Sequence, residues 1–340
     1  MIDNNLEIPE IFIIEKNIIN RLGCYLKERN ISYTNIALIT NEQLIKKIGV
    51  QNIGLDKFEI IFAESNSIDD AEKVISKLDG KDLVIGMGGG KILDIGKYAA
   101  FKKDIRFISI PTALSHDGIY SPITVISINN KTISFCTKIP LGIIVDMNIL
   151  MNCPKELIIS GIGDIVSSYS ALYDWKLSNI KTNEAINDIS VSMSQTAFEL
   201  IENICQKDVD VYSEDFLKIL TKALMLRGMA MNIAGSSRPS SGSEHQFSHA
   251  IDQLFNKNSH GFQVGVGTII SAFIQGRDYN KIKQILMNVG APTSIQELGL
   301  TIEQASDALI KAPETRNRYT ILNETNMCKE NLTNLLKQLF

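Results

Sequence analysis

The sequence is short of several things at once, and each shortage removes a class of function. It has no basic excess: 34 Lys and Arg against 38 Asp and Glu leave a formal net charge of −4. No global positive field is available to hold a polyanion by counterion release, so nucleic-acid binding is disfavoured. No apolar run approaches the ~20 residues of a membrane helix, and the longest, such as IFII at 11–14, are strand-sized. The N-terminus MIDNNLEIPE is acidic and lacks the basic and apolar segments of a secretory signal. No membrane insertion is expected, and a cytoplasmic location is. The five cysteines (Cys24, Cys136, Cys153, Cys205, Cys328) are scattered and form no CxxC pair. They read as reduced thiols rather than a zinc knuckle or a disulfide shuttle. There is no internal repeat, charge block or low-complexity tail.

What is present is enough hydrophobic material, 44% of 340 residues, for a sizeable core. At roughly 100–200 residues per domain, the length predicts two domains and a cleft. Up to about residue 150, short β-branched runs alternate with amphipathic stretches: IALIT (36–40), FEIIFA (58–63), DLVIG (82–86), RFISI (106–110), TVISI (124–128) and GIIVD (142–146). Several are apolar almost throughout, as strands inside a helix-covered parallel sheet must be. Beyond Pro154, helical periodicity takes over at roughly 164–178, 184–205, 214–234, 243–255, 263–275, 279–289 and 302–311. The expected division is an α/β domain over 1–152 and an all-helical domain over 153–340.

Between DLVIG and a helical pattern stands Gly86-Met87-Gly88-Gly89-Gly90-Lys91. Glycines at a strand-to-helix turn let phosphate oxygens approach the backbone, and the free N–H groups of the helix start favour an anion. The turn reads as a diphosphate cradle, with a tight turn that binds nothing as the alternative. It is neither GxGxxG nor a Walker A loop, because Lys91, Ile85 and Ile92 stand where those motifs need other residues. A second run, Ser109-Ile110-Pro111-Thr112-Ala113-Leu114-Ser115-His116-Asp117-Gly118, follows RFISI and is rich in hydroxyls. Asp117 suits either a substrate contact or a local backbone hydrogen bond.

Three of the four histidines fall between positions 245 and 260. His245 and His249, at i and i+4, share a helix face, and His260 opens the next helix. Spacing alone therefore favours His245 with His249 as a metal pair. Asp164, at an expected helix start, reads as an N-cap or as a third ligand that leaves one coordination position open. The segment is not HExxH, since Glu244 precedes His245. Arg238, among Ser236, Ser237, Ser240 and Ser241, suits a phosphate or an ordinary surface position, and Arg316 and Arg318 carry the same ambiguity.

The segments GMGGGKILDIGK, SIPTALSHDGIYSP, SGIGDIVS, SSRPSSGSEHQFSHAID, SHGFQVGVGT, NVGAPTS and RNRYTIL, spanning residues 86–322, together resemble the sn-glycerol-1-phosphate dehydrogenases. That family lies within the superfamily of glycerol dehydrogenase, iron-containing alcohol dehydrogenases and dehydroquinate synthase. The resemblance implies a Rossmann-like domain for NAD(P)H, a helical domain holding one zinc ion, and an active site in the cleft between them. It implies reversible reduction of dihydroxyacetone phosphate to sn-glycerol 1-phosphate, for archaeal-type ether lipids, by a homo-oligomer whose partners are small molecules. It further implies Asp164, His245 and His260 as metal ligands, with His249, Asp117 and Asp164 acting on the substrate and Arg238 on its phosphate. Gly88, Gly89, Gly90, Lys91, Asp94, Thr112, Ser115 and Ser121 are implied for the dinucleotide. The chain departs from the family at Phe262, where a Glu is usual after His-Gly, and at Pro313, where a His is expected. Alternative readings are a glycerol dehydrogenase acting on an unphosphorylated polyol and a dinucleotide-binding protein without catalysis. Thr40 and Asn41 occupy the region where a carboxylate selects NAD, so no acidic side chain there repels a 2′-phosphate and the choice between NAD and NADP stays open.

Overall fold

The computed structural model describes residues 8–128, 131–257, 259–325 and 328–340. The N-terminal stretch read above for targeting lies, through Glu7, outside them. The described residues divide into two compact units: 8–154 with Tyr212–Lys218, and Lys155–Val211 with Ile219–Phe340. The split thus falls at 154/155 rather than 152/153, and the segment 212–218 goes with the first unit.

In the first unit β1 (Ile11–Glu15), β2 (Ile36–Thr40), β3 (Phe58–Phe62), β4 (Leu83–Gly88), β5 (Arg106–Pro111) and β8 (Gly142–Asp146) form one sheet in the order β1-β8-β5-β4-β2-β3. Every pair in it is parallel. β2, β4 and β8 are buried at every position, which is why IALIT, LVIGMG and GIIVD carry no polar alternation. β1 contains the IFII run and pairs with β8 from Ile11↔Gly142. The helices here are α1 (Leu22–Glu28), α2 (Glu42–Ile48), α3 (Ile68–Ser76), α4 (Gly90–Lys102) and α5 (Met147–Leu150). From β2 the chain runs outward to β3 and returns to β4 on the other side of β2. The topological switch therefore lies between the carboxyl ends of β2 and β4, the place where open α/β sheets bind ligands.

One strand read from sequence belongs elsewhere. TVISI sits in β6 (Ile123–Ile128), which pairs antiparallel with β7 (Lys131–Cys136) outside the parallel sheet. Buried Thr124 and Ile126 alternate with half-buried Val125 and Ser127, the pattern of a strand covered on one face.

The second unit is helical: α6 (Lys155–Val166), α7 (Ser168–Thr182), α8 (Asp188–Ile204), α9 (Glu214–Ala234), α10 (Ser243–Phe255), α11 (His260–Ile274), α12 (Tyr279–Val289), α13 (Ile302–Thr315) and α14 (Lys329–Leu339). The first turn of α9 lies in the segment assigned to the α/β unit, where Glu214 pairs with Lys16. The helix expected at 164–178 is two helices, α6 and α7, that part around Ser167. The Ser167 hydroxyl donates to the carbonyls of Asp164 (2.7 Å) and Ser240 (3.0 Å). Asp164 consequently occupies the last turn of α6 and is not an N-cap.

Candidate active site

Glycine spacing explains how three helices bring their polar residues together. A Cβ on Gly163 would overlap the carbonyl oxygen of Gly261, and a Cβ on Gly261 would overlap that of Ser160, so α6 and α11 touch backbone to backbone. A Cβ on Gly267 would lie 2.9 Å from the carbonyl oxygen of Glu244, which draws α10 onto α11. At this junction Asp164 Oδ1 lies 3.4 Å from His245 Nε2 and 3.7 Å from His260 Nε2. Asp164, His245 and His260 present ligand atoms that all lie within 4.8 Å of one another. His249 stands outside this set, with ring centroids 6.4 Å from His245 and 6.3 Å from His260. The pair favoured by i, i+4 spacing is thus not the pair that converges with Asp164.

A layer of buried charge fixes the donors. Glu244 Oε1 lies 2.8 Å from Nδ1 of His245, a contact that orients the ring with Nε2 toward Asp164. Glu244 also accepts from the Gly242 N–H (2.6 Å) and the Ser170 hydroxyl (2.6 Å). Burial opposes its charge, yet these bonds and His245 hold its carboxyl below the ordinary value. Burial likewise opposes the charge of Asp164, but Arg227, then His245 and His260, hold it well below the usual range. Arg227 Nη2 lies 3.1 Å from Asp164 Oδ1 and donates to the Ser240 carbonyl (2.7 Å). Behind them, Asp174 accepts from the N–H and hydroxyl of Ser243 (2.7 and 2.6 Å) and the N–H of Ile321 (2.8 Å). Burial, then Glu244, pushes the Asp174 carboxyl up to about 6. Two imidazole nitrogens and a carboxylate oxygen at this spacing, one ring fixed by a buried carboxylate, fit a divalent metal.

The same helical unit holds an arginine-lined pocket of about 530 Å³, bordered by Ser178, Glu184, Arg238, Arg316, Arg318 and Tyr319 among others. Arg238 is committed within the protein. It donates to both carboxylate oxygens of Glu184, to the Ser178 hydroxyl (3.1 Å) and to the Tyr319 carbonyl (2.9 Å). Arg316 donates to the Ser237 hydroxyl (3.3 Å), and Arg318 to that hydroxyl (3.0 Å) and the Ser241 carbonyl (2.7 Å). Burial lowers both, and Arg318 falls to about 9, with the charges of Arg316 and Arg238 adding to burial. His249 feels the same charges: burial, then Arg316, His260, His245 and Arg318, hold it well below its ordinary value. Its imidazole is therefore neutral, and its Nε2 is buried without a hydrogen-bond partner. Pro313, one of the departures from the family, lies inside α13 and lines this pocket. Phe262, the other, is half-buried in α11.

In the α/β unit, β4 ends at Gly88, Gly89 caps α4 and Gly90 begins it. A Cβ on Gly88 would crowd Ile92, and one on Gly90 would overlap His116, whereas one on Gly89 would meet only Ala113 at 3.9 Å. Gly89 thus faces open space. Thr112 N–H donates to the Gly88 carbonyl (3.0 Å), which brings the end of β5 beside the turn. Lys91 is exposed, and Thr112, Ser115 and Asp117 are half-buried. Two residues implied for the dinucleotide face inward. Asp94 is 5% exposed, with its carboxylate 3.9 Å from the Lys97 ammonium, and burial raises its pKa. The Ser121 hydroxyl donates to the Ile123 carbonyl (3.2 Å). Thr40 ends β2 and Asn41 caps α2 through a bond from Leu44 N–H (2.8 Å), so no carboxylate side chain stands at those two positions.

Glu244, Asp174, Arg227 and Lys97 were not legible as functional. The usable signal was a charge on a buried stripe: Arg227 continues Leu217, Leu220 and Leu224 on α9, and Asp174 falls between Ala171 and Ser178 on α7.

The model of a family described as iron-containing alcohol dehydrogenase matches residues 13–154. A glycerol-1-phosphate dehydrogenase of Methanococcus aeolicus, named as NAD(P)+-dependent, is 40% identical, with 97% of this chain and 98% of that protein covered. One from Archaeoglobus fulgidus is 36% identical, with 96% and 95% covered. Among solved structures, glycerol dehydrogenase from Schizosaccharomyces pombe superposes with a TM-score of 0.78 at 19% identity, covering 99% of this chain and 90% of that one. Sulfoacetaldehyde reductase from Bifidobacterium kashiwanohense, in complex with NAD+, gives 0.75 at 14%, covering 98% of each chain. These two likenesses establish the fold.

Proposed function

The chain belongs to the glycerol-1-phosphate dehydrogenase family, and on that premise we propose that it reversibly reduces dihydroxyacetone phosphate to sn-glycerol 1-phosphate with NADH or NADPH. It is a metal-dependent alcohol dehydrogenase by family, and we assign one zinc ion per subunit to Asp164, His245 and His260. The observation that carries the reading is the convergence of those three ligand atoms within 4.8 Å, in a chain that spans 98% of its Methanococcus aeolicus relative.

Bound there, a divalent metal supplies Lewis acidity to a ketone oxygen and needs no redox change. The remaining work falls to the protein's own groups. Neutral His249 offers an imidazole nitrogen to a substrate hydroxyl. Asp117 is proposed as a further substrate contact. We assign the substrate phosphate to Arg316 and Arg318 rather than to Arg238, whose guanidinium is taken up by Glu184. Two neighbouring half-buried guanidiniums repel each other, so an added phosphate dianion gains from both. Gly88, Gly89, Gly90, Lys91, Thr112 and Ser115 form the proposed dinucleotide surface, with Asp94 and Ser121 supporting it from beneath. Uncharged Thr40 and Asn41 at the switch point tolerate a 2′-phosphate as well as a hydroxyl. The product is the glycerophosphate backbone of archaeal-type ether lipids, and assembly as a homo-oligomer is part of the reading.

The deciding experiment follows NADH and NADPH oxidation with dihydroxyacetone phosphate and with dihydroxyacetone, then identifies the product enantiomer. Dependence on the phosphate and formation of sn-glycerol 1-phosphate are expected. Equal turnover of the unphosphorylated ketone, or the opposite enantiomer, would replace this reading with that of a polyol dehydrogenase or a different stereochemistry.

A further inference from the structure

Lys97 lies on α4, two turns beyond the glycine turn, and its side chain is 1% exposed. Its ammonium donates to three backbone carbonyls of one loop: Gly118 (3.1 Å), Ser121 (2.7 Å) and Ile123 (2.9 Å). Three acceptors match the three N–H groups of an ammonium, whereas a neutral amine has two. Burial works against the charge, and Asp94 and Asp117 sustain it. The carbonyls are nearer than the Asp94 carboxylate, 2.7–3.1 Å against 3.9 Å. The side chain therefore binds the loop first and the carboxylate second.

Three carbonyl dipoles aimed at one point repel each other unless a cation sits there. The same loop begins at Asp117, whose carbonyl accepts from the N–H groups of Tyr120 and Ser121 (3.0 Å each). Just beyond it the Thr124 hydroxyl donates to the Asp94 carbonyl (2.8 Å), a second tie to α4. We propose that Lys97 is a positioning residue: its ammonium is the resident cation of a carbonyl cage, and it holds the loop carrying Asp117 and Ser121 at a fixed place relative to the glycine turn. The proposal rests on the reading of that turn and loop as the dinucleotide site.

The test is Lys97→Ala, which leaves a channel the length of n-propylammonium. Three quantities are measured on the metal-loaded protein: bound metal, the dissociation constant for NADH, and amide hydrogen exchange at Tyr120 and Ser121. The metal content is expected to stay constant while exchange at the two amides rises. NADH affinity should fall by about tenfold or more, the scale of a lost charge-assisted hydrogen bond. Added n-propylammonium should restore affinity, and tetramethylammonium, equally charged but without N–H, should not. Unchanged exchange overturns the proposal, as does wild-type NADH affinity despite faster exchange, or failure of n-propylammonium to restore binding. Should Lys97→Ala fail to fold, Lys97→Met fills the volume without the charge and is judged by the same exchange and affinity criteria. Gly89→Val, made in parallel, tests the dinucleotide reading by itself: if it binds NADH normally, that reading falls, while the exchange data still judge Lys97.

Discussion

Gly163 on α6 and Gly261 on α11 stand so close that a Cβ on the first would overlap the carbonyl oxygen of the second. Asp164 follows one of these glycines and His260 precedes the other, and their ligand atoms lie 3.7 Å apart. The helix crossing and the ligand geometry are therefore one feature.

Gly163→Ala is expected to force the two helices apart, at about 1–3 kcal/mol for overpacking that backbone cannot easily relieve. Metal retention should fall as well, because the carboxylate moves with its helix. Thermal denaturation and metal analysis check both, and a folded variant with native melting temperature and full metal would show that the contact does not set the site.

His260→Ala and His249→Ala should part company. Loss of a ligand weakens metal retention, whereas loss of a substrate contact leaves the ion and lowers turnover. His260→Ala is expected to shed metal on dialysis, and His249→Ala to keep near-stoichiometric metal with poor kcat. The reverse pattern would restore the pairing that i, i+4 spacing favours.

Glu244→Gln should weaken metal binding by about 10–100-fold, the usual effect of removing the partner that fixes a ligating imidazole. Competition with a chromophoric chelator measures it without reference to activity. Unaltered affinity would mean that His245 is held by its packing alone.

Arg318→Ala should raise KM for dihydroxyacetone phosphate by a factor corresponding to about 1.5–3 kcal/mol, and leave dihydroxyacetone turnover nearly unchanged. Arg238→Ala should instead lower stability, since it strands Glu184 half-buried, and affect both substrates alike. A phosphate-selective loss in Arg238→Ala, without one in Arg318→Ala, would reverse the assignment.

Burial pushes the Asp252 carboxyl up to about 6, against a hydrogen bond from Gln263. Its folded value thus exceeds the unfolded one, so the native state binds the extra proton between the two. Stability is lost as pH rises from about 4 through 6 and stays lower above that. Asp252→Asn, which still accepts from Gln263, should be more stable than the parent at pH 7–8, by about 1–2 kcal/mol once solvent screening is allowed for. The difference should vanish near pH 4, and denaturant titrations at the two pH values would reveal an opposite trend.

The local rules that read the sequence well are those with short range. Runs apolar almost throughout, such as IALIT and GIIVD, announced parallel strands, because both faces of such a strand must leave water. The helices at 214–234, 243–255 and 279–289 came out at their expected limits, because periodicity and capping are decided within a turn or two. TVISI was misplaced because pairing depends on a partner, and its partner β7 carried no strong signal of its own. The helix read through Ser167 broke there because that hydroxyl bonds a carbonyl on another segment, 73 residues away.

The sequence by itself determined the inventory: a glycine turn after a buried strand, three histidines in one short stretch, and an aspartate beside glycines. Which of them converge was a tertiary decision. His245 and His249 are neighbours by helical geometry, yet His260 is the one that meets Asp164, because backbone contact at Gly163 and Gly261 brings α6 and α11 together, and sequence spacing carries no information about that crossing. The charges of Glu244, Arg227 and Lys97 were visible as letters. Only the fold removed water from around them and aimed them at His245, Asp164 and the carbonyls of 118–123.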